Sequence, residues 1–78
     1  MTTEDSPQVY DLRGLKCPLP VLKTRRRLAG LERGYVLAVE TTDPLAVIDI
    51  PHFCNEDGHE LLETQKTDDG HRFVIRRG

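Results

Sequence analysis

Residues 9–22 read Val9-Tyr10-Asp11-Leu12-Arg13-Gly14-Leu15-Lys16-Cys17-Pro18-Leu19-Pro20-Val21-Leu22, and this stretch decides the fold. Val9 to Leu12 alternates and is rich in strand formers, which predicts a short first strand. Gly14 marks a tight loop, and Cys17-Pro18-Leu19-Pro20 opens a segment of helical period. On that period Pro18, Val21, Leu22, Leu28 and Ala29 fall on one arc, with Lys23, Arg26 and Arg27 outside it. Gly30 or Gly34 ends the helix. Tyr35 to Val39, extendable to Thr41, then supplies a second strand. Strand, helix and strand make a βαβ unit, expected as a right-handed crossover between parallel strands.

Farther along, Asp43-Pro44 reads as an N-cap followed by proline at the first helical position. From there Val47, Ile48, Pro51 and Cys54 share one face, with Asp49, His52 and Glu56 on the other. Pro51 inside a straight helix costs ~3 kcal/mol, so a kink or break is expected near Asp49–Pro51, with Gly58 ending the element. His59–Lys66 and Arg72–Arg76 form two strands joined across Thr67-Asp68-Asp69-Gly70-His71, a hairpin signal. The order βαβαββ predicts an α+β two-layer sandwich: a four-stranded mixed sheet with two helices on one face. Residues 9–78 form the single domain, and the polar residues 1–8 a frayed lead-in.

Composition narrows the function classes. A chain of 78 residues has a thin core, burying ~60% of the surface that its unfolded form exposes. Its 37% apolar and 31% charged residues suit a globular fold rather than a disordered tail. Two cysteines, Cys17 and Cys54, are too few for a disulfide-stapled mini-protein or for a metal site built on cysteines alone in a monomer. The acidic, Thr-rich start is not a signal peptide and no apolar run is long enough to span a membrane, so the expected location is cytoplasmic. The net charge of −2 hides an asymmetry. Residues 1–34 hold seven of the eleven basic residues against four acidic ones, and the remainder holds nine acidic residues against four basic. The N-terminal half therefore presents positive charge beside whatever chemistry it carries.

The chemistry points to Cys17. As the N-cap of the first helix, its sulfur would face the positive end of the helix dipole and accept from the Leu19 N–H. Pro18 and Pro20 offer no N–H and stiffen the entrance, while Lys16 and Lys23 are near in sequence. Each influence favours thiolate, the reactive form. Leu19, placed before Pro20, resists the helical conformation, so a local rule is broken beside the reactive atom.

These residues resemble the TusA-like, also called SirA-like, sulfur carrier proteins, whose hallmark is a Cys-Pro-x-Pro motif at the first helix entrance. Here that motif is Cys17-Pro18-Leu19-Pro20, preceded by Asp11-Leu12-Arg13-Gly14-Leu15-Lys16 and followed by Val21-Leu22. Asp43-Pro44 and Asp49-Ile50-Pro51-His52-Phe53-Cys54 look like the family's second helix, so the likeness covers residues 9–78. The resemblance implies a sulfurtransferase that acts as a persulfide carrier without a cofactor. Cys17 would accept sulfane sulfur from a cysteine desulfurase or a rhodanese and relay it to an acceptor protein. In some members the route ends in tRNA thiolation, in others in sulfur oxidation or molybdenum-cofactor metabolism. Such a carrier needs no general base, because attack on a persulfide requires a thiolate and a good leaving group.

Around Cys17, the residues Asp11, Gly14, Lys16, Pro18 and Pro20 make up the supporting loop. Asp11 either accepts from loop amides around Gly14 or pairs with a base such as Arg25. Arg25 lies within the apolar arc of the first helix, as an anchor for a carboxylate or as a side chain snorkelling to the rim. Lys23, Arg26 and Arg27 form a basic face for partner docking, and Asp43 joins the partner-binding set as the family's acidic position. Cys54, on an apolar stripe, reads as core or else as a resolving thiol for Cys17. His52, Cys54, His59 and Glu56 make a poor metal site because His52 and Cys54 point to opposite sides of the helix. Few aromatics argue against direct RNA binding, so any tRNA is reached through partner proteins. A monomer is the simplest state. Besides a carrier, a non-catalytic module using the basic helix and a Cys17/Cys54 redox protein stand as alternatives.

Overall fold

The computed structural model describes residues 8–78, so the lead-in expected over residues 1–8 lies, apart from Gln8, outside the described residues. Gln8 itself belongs to the first strand. The elements are β1 (Gln8–Asp11), α1 (Leu19–Ala29), β2 (Val36–Thr41), α2 (Ala46–Asp57), β3 (Glu60–Lys66) and β4 (His71–Arg76). The sheet order is β1-β2-β4-β3, with β1 parallel to β2 and the other pairs antiparallel. This is the expected mixed four-stranded α+β architecture.

Register explains where the core sits. Leu37 lies opposite Ile75 and Val39 opposite Phe73, so the period of two sends all four to one face. There they are buried with Leu28 of α1 and with Ala46, Ile50, Phe53 and Cys54 of α2. Most of β3 is exposed, and Leu61, opposite Ile75, is its contribution to the core. Between Leu61 and Glu63 the register shifts, leaving Leu62 as the extra residue of a β-bulge. The hairpin closes with Thr67 N–H donating to the Gly70 carbonyl at 2.9 Å. A Cβ on Gly70 would stand 1.9 Å from the Thr41 carbonyl oxygen, so only glycine lets the turn pass so close to the end of β2.

Both helices are rotated relative to the sequence expectation. In α1 the buried residues are Pro20, Thr24 and Leu28, while Leu22 is 47% exposed and Pro18 and Ala29 face solvent. In α2 they are Ala46, Ile50, Phe53 and Cys54, while Val47 and Ile48 are exposed. The i, i+4, i+8 stripe of α1 includes a threonine, whose γ-methyl packs as an aliphatic group, and a hydropathy arc overlooks it. Nor does α2 begin at Pro44. Its first residue is Ala46, and Asp43-Pro44-Leu45 forms a preceding turn in which Ala46 N–H donates to the Asp43 carbonyl. The helix runs through Pro51 without a break, because the carbonyl that loses its donor belongs to exposed Val47 and is free to bond water. Gly58 closes α2 in the left-handed conformation, with φ +78°. Gly30 closes α1 in the right-handed region instead, its N–H donating to the Arg27 carbonyl while Leu31 N–H donates to that of Leu28.

Candidate functional site

The loop between β1 and α1 is fastened to the connection between β2 and α2. Gly14 takes φ +88°, a conformation that glycine adopts without steric cost, and its N–H donates to Thr42 Oγ1 at 2.8 Å. Cys17 N–H donates to Asp43 Oδ2 at 2.9 Å, and the other oxygen of that carboxylate accepts from Leu45 N–H at 3.4 Å. Asp43, nine-tenths buried, therefore clamps the cysteine's backbone to the start of α2. Asp43→Ala is expected to leave both donors short of a partner and to cost about 1–3 kcal/mol, read from urea unfolding. Hydrogen exchange at the Cys17 amide should quicken in the same variant.

The Cys17 thiol is exposed and donates to Asp49 Oδ2 at 3.0 Å. This overturns two expectations. Cys17 does not cap α1: Leu19 N–H donates to the Lys16 carbonyl at 2.8 Å, Pro18 holds the cap position, and no side chain caps the helix. The thiol's pKa is moved up rather than down, first because its proton is hydrogen-bonded to Asp49, then through partial desolvation and the charges of Asp49 and Asp43. The basic half of the sequence supplies the cysteine, but the acidic half supplies its surroundings.

Asp11, at the end of β1, accepts from the loop amide of Arg13, next to Gly14, as one expected alternative had it, and its basic partner is the Arg13 guanidinium rather than Arg25. Those bonds hold its carboxyl at about 2. Pro18 and Lys16 are exposed at the helix entrance, and Pro20 is buried beneath it. Arg25 leans across to α2, where it pairs with Asp57 at 3.2 Å and lies over the Phe53 ring, 5.3 Å from its centroid. It thereby forms one wall of an open pocket of about 390 Å³ that includes Cys17, Val21, Asp49 and Phe53.

Lys23, Arg26 and Arg27 lie elsewhere. They line a groove of about 580 Å³ with Tyr10, Leu19 and Leu22, and Arg27 stacks over the Tyr10 ring at 4.4 Å. Cys54 is buried and free, and its surroundings push its thiol up to about 11. Asp49 is the residue that sequence reasoning missed. Helical period sets it on the solvent face of α2, and only the rotation of that helix turns it toward Cys17. Among the described residues, the group with metal-ligand spacing is Cys17, Asp43 and Asp49, within 4.8 Å of one another, rather than the His52–Cys54–His59–Glu56 set. Both carboxylates serve there as hydrogen-bond acceptors for Cys17.

Fold and site together define a small two-layer domain that presents one exposed cysteine at a helix entrance, held by carboxylates from a second helix. The family model described as "Sulfurtransferase TusA" matches residues 8–77, and the chain belongs to this family. A putative sulfur carrier protein of Neisseria meningitidis is 39% identical over 69 residues, 88% of this chain and 93% of its own length. The sulfur carrier protein TusA of Allochromatium vinosum is 37% identical over 94% of this chain and 96% of its own. A putative sulfur carrier protein of Bacillus subtilis, YrkI, is 37% identical over 94% of this chain and 97% of its own. No helix among the described residues is long and apolar enough to cross a membrane.

Proposed function

We propose that this chain is a sulfur carrier whose Cys17 holds sulfane sulfur as a persulfide, taking it from a cysteine desulfurase or a rhodanese and passing it to an acceptor protein. The observation that carries this reading is an exposed thiol at the entrance of α1, tethered through its amide and its sulfur in a chain of the TusA family. Residues 9–78 act as one domain. The cytoplasm, which keeps thiols reduced, suits two free cysteines. Sulfur acceptors of the tRNA-thiolating kind fit the same chemistry, with contact to RNA left to the partner. Incubation with a cysteine desulfurase and cysteine tests the reading. The intact mass is expected to rise by one sulfur atom at Cys17, and no adduct with either class of donor would refute it.

The donor enzyme docks on the groove lined by Lys23, Arg26 and Arg27, which offers cations above exposed Leu19 and Leu22. Reversing Arg26 and Arg27 to Glu is expected to slow loading from the enzyme about tenfold or more, steepest at low salt. Loading from a small persulfide should stay unchanged. Equal slowing with both donors would show that the groove has no docking role.

A further inference from the structure

Resting on the carrier reading, we propose that Asp49 sets the direction of sulfur transfer by favouring the discharged state of Cys17 over the loaded one. A persulfide is a stronger acid than its parent thiol, so near neutral pH the loaded cysteine is an anion and the discharged one a neutral thiol. The structure treats these two states oppositely. The thiol has an acceptor waiting, since its Sγ lies 3.0 Å from Asp49 Oδ2 and donates its proton there. The perthiolate has no proton to give, and it meets the same carboxylate as a like charge, with Asp43 close behind. The surrounding pocket does not correct the imbalance. It adds Glu56 and Asp57, and its guanidinium, that of Arg25, is already paired with Asp57 at 3.2 Å; His52 is the remaining titratable group facing it.

Discharge releases this opposition. The S–S bond on Cys17 breaks, an S–S bond forms on the acceptor thiol, and the acceptor's proton ends on the Cys17 sulfur, where Asp49 receives it. The sulfur moves at the zero-valent level, and no outside oxidant or reductant enters. Asp49 acts here as a positioning residue, through charge and a hydrogen bond, and takes up no part of the transferred sulfur.

The test is an exchange equilibrium between the purified chain and a fixed ratio of glutathione persulfide to glutathione, a donor too small to need a docking surface. The loaded fraction is read by intact mass, with Cys17→Ser as the blank. Asp49→Asn is expected to raise the ratio of loaded to discharged protein about tenfold or more, the scale of one charge-assisted hydrogen bond at a partly exposed site. Asp49→Glu, which keeps the charge, should return it toward wild type. Glu63→Gln, which removes one charge from exposed β3, should leave it unmoved. An unchanged or lower ratio in Asp49→Asn overturns this inference while leaving the carrier reading intact. If neither wild type nor Asp49→Asn ever carries the extra sulfur, the carrier reading itself falls, and this inference with it.

Discussion

Cys17→Ser is expected to gain no sulfur from a cysteine desulfurase and cysteine, whereas Cys54→Ser loads to the wild-type extent. The two cysteines differ in access, which decides whether a donor can reach the sulfur. Cys17 is exposed in an open pocket, with its amide fixed by Asp43. Cys54 is 2% exposed, packed within the core cluster, and held protonated by burial. Serine at position 17 retains a hydroxyl that can donate to Asp49, so the loop should survive the change while the nucleophile is lost. Circular dichroism should therefore be unaltered. The same pair of variants separates the remaining readings. A redox couple requires Cys54, and a non-catalytic module using the basic helix keeps its function without Cys17. Full loading of Cys17→Ser would place the sulfur elsewhere and refute the assignment of this residue.

The second large effect concerns the fold. Phe73→Ala is expected to cost about 3–5 kcal/mol in urea unfolding. Phe73 is fully buried in the second-to-edge strand β4, opposite Val39 on one side and Thr64 on the other. Its ring is the largest fully buried side chain, and neighbours pinned by two ladders cannot collapse into the space it leaves. A chain of this length has about 4–12 kcal/mol of total stability, so the variant stands close to the limit of folding. Phe73→Leu, which keeps much of the volume, should recover part of the loss. A cost below about 1 kcal/mol would mean that the core relaxes freely and is less closely packed than described.

The strands were legible because period-two alternation and turn chemistry are local. Each predicted strand lies within one residue of its place, and the Gly70 hairpin follows from its own composition. Helix existence was legible too, but helix orientation was not. Hydropathy ranks Ile48 above Thr24, yet the sheet buries Thr24 and leaves Ile48 67% exposed. Which stripe faces inward is settled by where the loops deliver the helix axis, and that information is not in any one segment. The site inherits this limit. Cys17 stood out through its prolines, while Asp49, 32 residues away, could be linked to it only by the packing of α2 against α1. The same packing reverses the expected electrostatics, since charge totals for each half of the chain say nothing of which half surrounds which atom.

The bulge at Leu62 bears on how this protein behaves in a crowd. Among the described residues the sheet has two edge strands, and an edge is a template on which further copies could stack strand upon strand. At one margin, β3 bends at its surplus residue and lines its outer stretch with Glu60, Glu63 and Lys66, a combination that discourages a flat new neighbour. At the other, β1 spans four of the described residues, a short stretch on which to nucleate a lasting pairing. Shaped this way, the described sheet resists growth by strand addition, a protection that lies in the backbone and a few charges rather than in any covering element.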